Sequence, residues 1–333
     1  MASPFHFTLS AVALLGLSGV AVGQQAPPFS PGSDFNAYGY ALAQNDSAIE
    51  QARLFRESGS APRPSVDANG NQIGETTEAS SSDDDSFGAQ AILKNQERPR
   101  PYIVTGGISL FHTDNVALTR TGTRADEFIV ADASLGWSPK LGNNLEATFG
   151  LHTALFRYFD TAELDFENLG ATAGLAWSPP ALRGFTLFGR YDFTELLSTG
   201  GDQILMEHTL TLGLQKAIAF GRSHGVTFGL LGVAGFSDPS AAQRDQLAAF
   251  LAYHIQLTRN LEADLLARPA VHFYNAGGRT DFNQILSGSL RYRFNSWAEA
   301  NAFLSYGWNR SDKSVFDYDV LTAGGGVAFT IRF

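Results

Sequence analysis

The chain has 333 residues, no Cys, 34 Gly and 26 Phe; charged residues make up 17% and the formal net charge is −10. That composition excludes disulfides and thiolate metal sites, and the acidic balance argues against a nucleic-acid partner. Mean hydropathy lies close to zero, which excludes a bundle of apolar transmembrane helices but not a membrane barrel, whose apolar residues alternate with polar ones.

Residues 8–22 form one apolar run, too short to span a bilayer comfortably. Ala21-Val22-Gly23 supplies the small residues of a signal-peptidase site, so residues 1–23 read as a signal peptide and Gln24 as the mature start. The segment Met1–Phe7 departs from the usual pattern in having no Lys or Arg, only His6. Residues 24–99 are rich in Pro, Gly, Ser, Asn, Gln and Asp, with an acidic run at Ser80–Ser86. Such a stretch buries too little apolar surface to order itself and reads as a disordered periplasmic tail. A short helix over 47–56 fits the spacing of Ile49, Ala52 and Leu54; it could plug a barrel or contact peptidoglycan.

From Pro101 the period becomes two. Twelve blocks alternate apolar with small or polar residues, near 101–112, 126–137, 144–158, 166–177, 184–196, 205–218, 225–236, 245–257, 260–274, 282–295, 297–309 and 317–333. Each has the length a tilted membrane strand needs, and an even number closes an antiparallel barrel with both termini on one side. The expected fold over 100–333 is therefore all-β, a transmembrane up-and-down barrel. The connections sort the same way. Ser138–Asn144, Ser178–Gly184, Gly221–Gly225, Thr258–Asn260 and Asn295-Ser296 are short, as periplasmic turns should be. Thr113–Asp126, Phe159–Asp165, Ser198–Gln203, Ser237–Asp245, Asn275–Asp281 and Arg310–Asp317 are more polar, and none is long enough to reach far into a pore. Leu135-Gly136-Trp137-Ser138-Pro139 recurs forty residues later as Leu175-Ala176-Trp177-Ser178-Pro179, the span of one hairpin.

Alternation separates two faces. In the last strand Leu321, Ala323, Gly325, Val327, Phe329, Ile331 and Phe333 face lipid, and Thr322, Thr330 and Arg332 face inward. The lipid face also carries the expected aromatic girdle: Trp137, Trp177, Tyr292, Phe294, Tyr306 and Trp308. Inside, Gly, Ala, Thr and Ser predominate, with charges at Glu146, Arg190, Asp192, Glu262, Asp264, Arg268, Arg291, Arg293, Glu299 and Arg332. A mid-membrane charge on the lipid face costs about 2–4 kcal/mol, so inward placement is required. Arg157 and Lys216 fall on the outer face, near strand ends. The luminal charges either form a selectivity ring in a water-filled channel or pair and close the lumen.

Catalysis finds little support. His152, His254 and His272 read as luminal, His224 as a turn residue, and His112 and His208 as outward near the far rim, without a hydroxyl motif beside them. No metal-ligand spacing and no cofactor motif is present; Gly324-Gly325-Gly326 lies within a strand, where close approach or curvature explains it.

His112-Thr113-Asp114-Asn115-Val116 with Asp126-Glu127-Phe128-Ile129-Val130 resembles the opening of the outer-membrane β-barrel porin family of the "beta-barrel porin 2" type. The end, from Tyr306-Gly307-Trp308-Asn309-Arg310 through Phe316-Asp317-Tyr318-Asp319, resembles that family's last hairpin. The resemblance implies a bacterial outer-membrane location, and exopolysaccharide export is a role some members accompany. Phe329, Ile331 and Phe333 also resemble the signal read by the outer-membrane assembly machinery. The expected function is a passive, porin-like channel for small polar solutes, in contact with outer-membrane lipid and not an enzyme. The alternatives are a structural or export-associated barrel and, last, a lipid-modifying enzyme.

Overall fold

The structure is a computed structural model that describes residues 101–220, 223–275 and 278–333. The expected signal peptide, periplasmic tail and 47–56 helix lie outside the described residues. Twelve strands follow one another: β1 (Tyr102–Thr113), β2 (Asp126–Trp137), β3 (Leu145–Tyr158), β4 (Phe166–Trp177), β5 (Phe185–Ser198), β6 (Gln203–Phe220), β7 (His224–Asp238), β8 (Arg244–Gln256), β9 (Leu261–Tyr274), β10 (Arg279–Arg293), β11 (Ala298–Ser311) and β12 (Tyr318–Arg332). Each pairs antiparallel with its neighbours, and β1 pairs with β12 to close the barrel. Closure leaves no edge strand, which removes the bare row of N–H and C=O groups that an open sheet would present. The last residue completes the seam. Tyr102 N–H donates to Phe333 O at 3.2 Å, and Phe333 N–H to Tyr102 O at 3.1 Å.

The strand cores follow the alternation, and the differences are at the ends. β10 begins at Arg279, inside the stretch 275–281 that its charges mark as a loop. Arg279 is held in the wall because it pairs with Asp281 at 3.1 Å and lies over the rings of Tyr274 and Phe316. His224 opens β7 rather than sitting in the turn, with its Nδ1 2.6 Å from Tyr253 Oη. β6 runs further at both ends than its apolar alternation does.

The outward face is apolar along the strands. Leu151, Leu212, Leu230, Leu265, Leu304 and Val327 are all exposed. At the end that carries the termini, Tyr102 stacks on Trp137 and Phe333, and Trp137 on Phe149, so aromatic rings run from β12 to β3. Trp177 and the edge-to-face pair Tyr292 and Phe294 stand at the same end. Tyr306 and Trp308, 5.6 Å apart, mark the other side of the belt. Outward charges gather beyond it, at the far rim, in pairs: Arg157 with Glu167 at 2.8 Å, Arg310 with Asp319 at 3.0 Å, and His112 with Glu127 at 2.8 Å. Lys216 sits near the terminal end, over the Phe185 ring.

Candidate functional site

The lumen is lined by alternate residues of every strand, and register decides which of them meet. At the mouth beside the termini, β9 and β10 set Arg291 opposite Glu262 and Ser289 opposite Asp264; β8 sets His254 opposite Asp264. The pairing yields one network. Arg291 Nη2 lies 3.2 Å from Glu262 Oε2 and 3.6 Å from Asp264 Oδ2. Arg293 pairs with Glu262 as well, and His254 Nδ1 is 2.8 Å from Asp264 Oδ1. Glu262, Asp264, Arg291 and His254 are buried, while Arg293 keeps a quarter of its side chain exposed. Each carboxylate thus answers two basic groups, which is what makes their burial tolerable.

The predicted charged residues all face inward, but they do not close one ring. Arg190 and Asp192 form a separate buried pair on β5, with Nε to Oδ2 at 2.8 Å. Glu146 is buried near the start of β3, beside the bridge to Lys140. Glu299 is opposite Arg293, and Arg332 is opposite Ile103, both at the terminal mouth. Arg268 lies at mid-height on β9 and is fully buried.

The inner face of β10 is the most polar stretch of wall. From the terminal mouth to the far rim it presents Arg293, Arg291, Ser289, Ser287, Ile285, Asn283, Asp281 and Arg279. Neighbouring strands extend this strip. Asn309 Nδ2 donates to Asp281 Oδ2 at 3.1 Å, and Asn283 Nδ2 to Tyr318 Oη at 3.2 Å.

Elsewhere the expectation of a small, polar inner face fails. In the far half, Phe111, Phe128, Phe156, Tyr158, Phe166, Leu196, Leu205 and Phe303 form one buried apolar cluster. Phe156 stacks on Phe166 at 4.3 Å, Phe111 on Phe128 at 4.9 Å, and Phe303 reaches Phe111 at 5.1 Å. Gly324 makes that last contact possible: a Cβ there would sit 2.7 Å from both rings and 2.6 Å from Leu110 O. The glycine run is therefore a seat for aromatics, the close approach that the strand setting implied. The far connections are short, yet they lean over the cluster through Val116, Leu164 and Ala242. A second inner cluster, with Phe188, Leu231, Phe250 and Leu266, spans β4 to β9 at mid-height. A ring of twelve strands is wider than its small side chains can fill, so bulky side chains take up the difference. Period-two reading misses them, because it places a Phe on a face only once the phase is known.

His152, His254 and His272 are luminal and buried. The outward His208 contacts Tyr191 Oη at 2.6 Å, and His112 contacts Glu127 at 2.8 Å. Asp126, Glu127 and Asp160 converge at the far rim closely enough to hold a cation. Asp126 already accepts from Asp160 N–H at 3.0 Å and from the Thr161 hydroxyl.

No family model matches the chain, and no curated protein matches it. Solved structures do. An outer membrane channel of the COG4313 group from Pseudomonas putida F1 has a TM-score of 0.51 at 11% identity, covering 72% of this chain and 98% of its own. The translocator domain of the autotransporter NalP from Neisseria meningitidis has 0.43 at 13% identity, covering 70% and 90%. An anion-selective porin from Comamonas acidovorans has 0.37 at 9% identity, covering 69% and 98%. The first of these establishes a shared fold, a closed antiparallel β-barrel.

Proposed function

We propose that the chain is a bacterial outer-membrane channel, a porin-like passive conduit for small polar solutes, with its terminal end in the periplasm. The observation that carries this reading is the polar strip on β10, unbroken except at Ile285 between the two mouths. A solute moving along it exchanges hydration for hydroxyls, amides and paired charges, which keeps the barrier low. The Arg291–Glu262–Asp264 network at the terminal mouth supplies both signs of charge, so it sorts solutes by charge distribution more than by net charge. Phe329, Ile331 and Phe333 all point to lipid, as a strand read by the assembly machinery would present them. The reading needs no chemistry from the histidines and includes no enzymatic role. Planar-bilayer recording of the refolded full chain tests it. Discrete conductance steps are expected, and a folded barrel that gives none overturns the channel.

A further inference from the structure

The two rims of the barrel carry opposite charge. The five connections at the terminal end, 138–144, 178–184, 221–223, 257–260 and 294–297, contain Lys140, Arg183, Arg222 and Arg259 and no Asp or Glu. The six far connections contain more acidic than basic residues, with Asp160, Glu163 and Asp165 in one loop alone. The terminal connections are also apolar where turns are ordinarily polar. Leu141 follows Lys140, Leu182 precedes Arg183, and Leu257 precedes Arg259 by two positions. Leu141 is 57% exposed, Leu257 49% and Trp297 58%. Lys140, Arg183 and Arg259 are exposed beside them.

These turns are held in shape by their own bonds. Leu141 N–H donates to Leu145 O at 2.9 Å, and Leu257 N–H to Leu261 O at 2.9 Å. Asn295 Oδ1 accepts from Trp297 N–H at 2.8 Å and from Ala298 N–H at 2.9 Å. An exposed leucine on an ordered turn stays in contact with whatever surrounds it, and water is a poor surrounding for it. Arg183 adds a second sign. Its φ is +49°, in the left-handed region, and Gly184 follows with φ +85°. The turn geometry alone would favour Gly at 183, so the fold does not account for the arginine.

We propose that the terminal rim is a docking surface for the headgroups of anionic phospholipids in the leaflet where it stands. It continues the lipid face of the wall. Trp137, stacked with Tyr102 and Phe149, lies three positions before Lys140, and Trp177 lies six before Arg183. Such rings settle at the membrane interface. Just beyond them the leucines of the turns enter the headgroup layer, and the basic side chains lay their stems along it and reach the phosphates. Lys216 stands at the same end, its ammonium 4.9 Å from the centre of the Phe185 ring. Turns that carry basic and no acidic residues draw a negatively charged surface toward them, which the acidic far rim would repel. The proposal rests on the chain spanning a membrane with this rim in a phospholipid leaflet, as the channel reading has it, but not on conduction.

Tryptophan fluorescence reads this rim, because Trp137, Trp177 and Trp297 stand at the terminal end and only Trp308 does not. The full chain with Trp308→Phe is refolded into phosphatidylcholine vesicles holding a brominated lipid, either phosphatidylglycerol or phosphatidylcholine. Bromine quenches the tryptophans it touches. Brominated phosphatidylglycerol is expected to quench at a several-fold lower fraction than brominated phosphatidylcholine, and added salt should shrink that preference. Lys140→Gln with Arg183→Gly and Arg259→Gln should make the two lipids equal. Arg183→Gly alone should weaken the preference while the barrel resists urea at least as well as before, since glycine accepts the left-handed backbone. A parallel loss of preference and stability overturns the assignment of Arg183. Equal quenching by the two lipids before any rim residue is changed overturns the docking surface. So does a rise in preference with Asp83→Asn, Asp84→Asn and Asp85→Asn, which would make that acidic run of the chain the occupant of the basic rim. Absence of conductance steps with the preference intact sinks the channel and leaves the docking surface standing. Quenching by neither lipid sinks the membrane barrel and the docking surface together.

Discussion

The wall built from β9, β10 and β11 and the far half of the wall built from β1 to β4 solve the same problem with opposite chemistry. Both must fill a lumen that small side chains cannot fill. The first does so with Arg, Asp, Glu, Asn and Ser in register-matched pairs. The second uses stacked rings seated over glycine. On the channel reading, the contrast teaches that filling and conducting are separable. A paired polar wall can fill space and still offer a solute hydrogen bonds at each step, whereas an aromatic wall fills space and offers none.

Truncating each wall sharpens the comparison most. Glu262→Ala leaves Arg291 and Arg293 without their shared carboxylate and should cost about 3–5 kcal/mol, as loss of one partner of a buried pair does. Phe156→Ala should cost a similar amount, about 3–5 kcal/mol, through the cavity it leaves. Urea unfolding in lipid vesicles measures both. Transport should separate them. Glu262→Ala shifts reversal potentials toward anion preference, and Phe156→Ala raises conductance with little change in preference. If both variants altered selectivity alike, the two walls would not be distinct.

Gly324→Ala tests the seat of the aromatic wall. Its Cβ would lie 2.6 Å from backbone oxygen and 2.7 Å from two rings. Displacing them should cost about 1–3 kcal/mol, visible as a lower temperature for the heat-induced gel-mobility shift of the folded barrel. The smallest effect belongs to neither wall. Arg310→Ala removes an exposed pair with Asp319 at the far rim and should change stability by less than about 1 kcal/mol. A larger loss would mean that the rim, and not only the lumen, holds the barrel together.

The barrel was legible in the sequence because the lipid face admits few exceptions. Leu321, Val327, Phe329 and Ile331 repeat at period two, and an outward charge survives only where a partner or the belt's edge relieves it, as for Arg157 and Lys216. The inner face obeys no such rule. Phe128-Ile129-Val130 is apolar at every position, so alternation alone cannot say that Phe128 points inward. Alternation puts the charged residues on the inner face, but which of them meet depends on register. Glu262 meets Arg291 and Arg293, twenty-nine and thirty-one positions along the chain, because the β9–β10 turn aligns them. Pro269 is opposite Gln284 of β10 but has no ladder partner on β8, a difference that only the paired sheet shows.

The seam between β1 and β12 has a consequence for the wall as a whole. The first strand of the wall waits for the last, and the final bonds involve Phe333 itself. A wall without β12 would carry two bare edges instead of none, at β1 and β11. Two such edges would offer unpaired N–H and C=O groups along the height of the wall, a template for pairing with another chain.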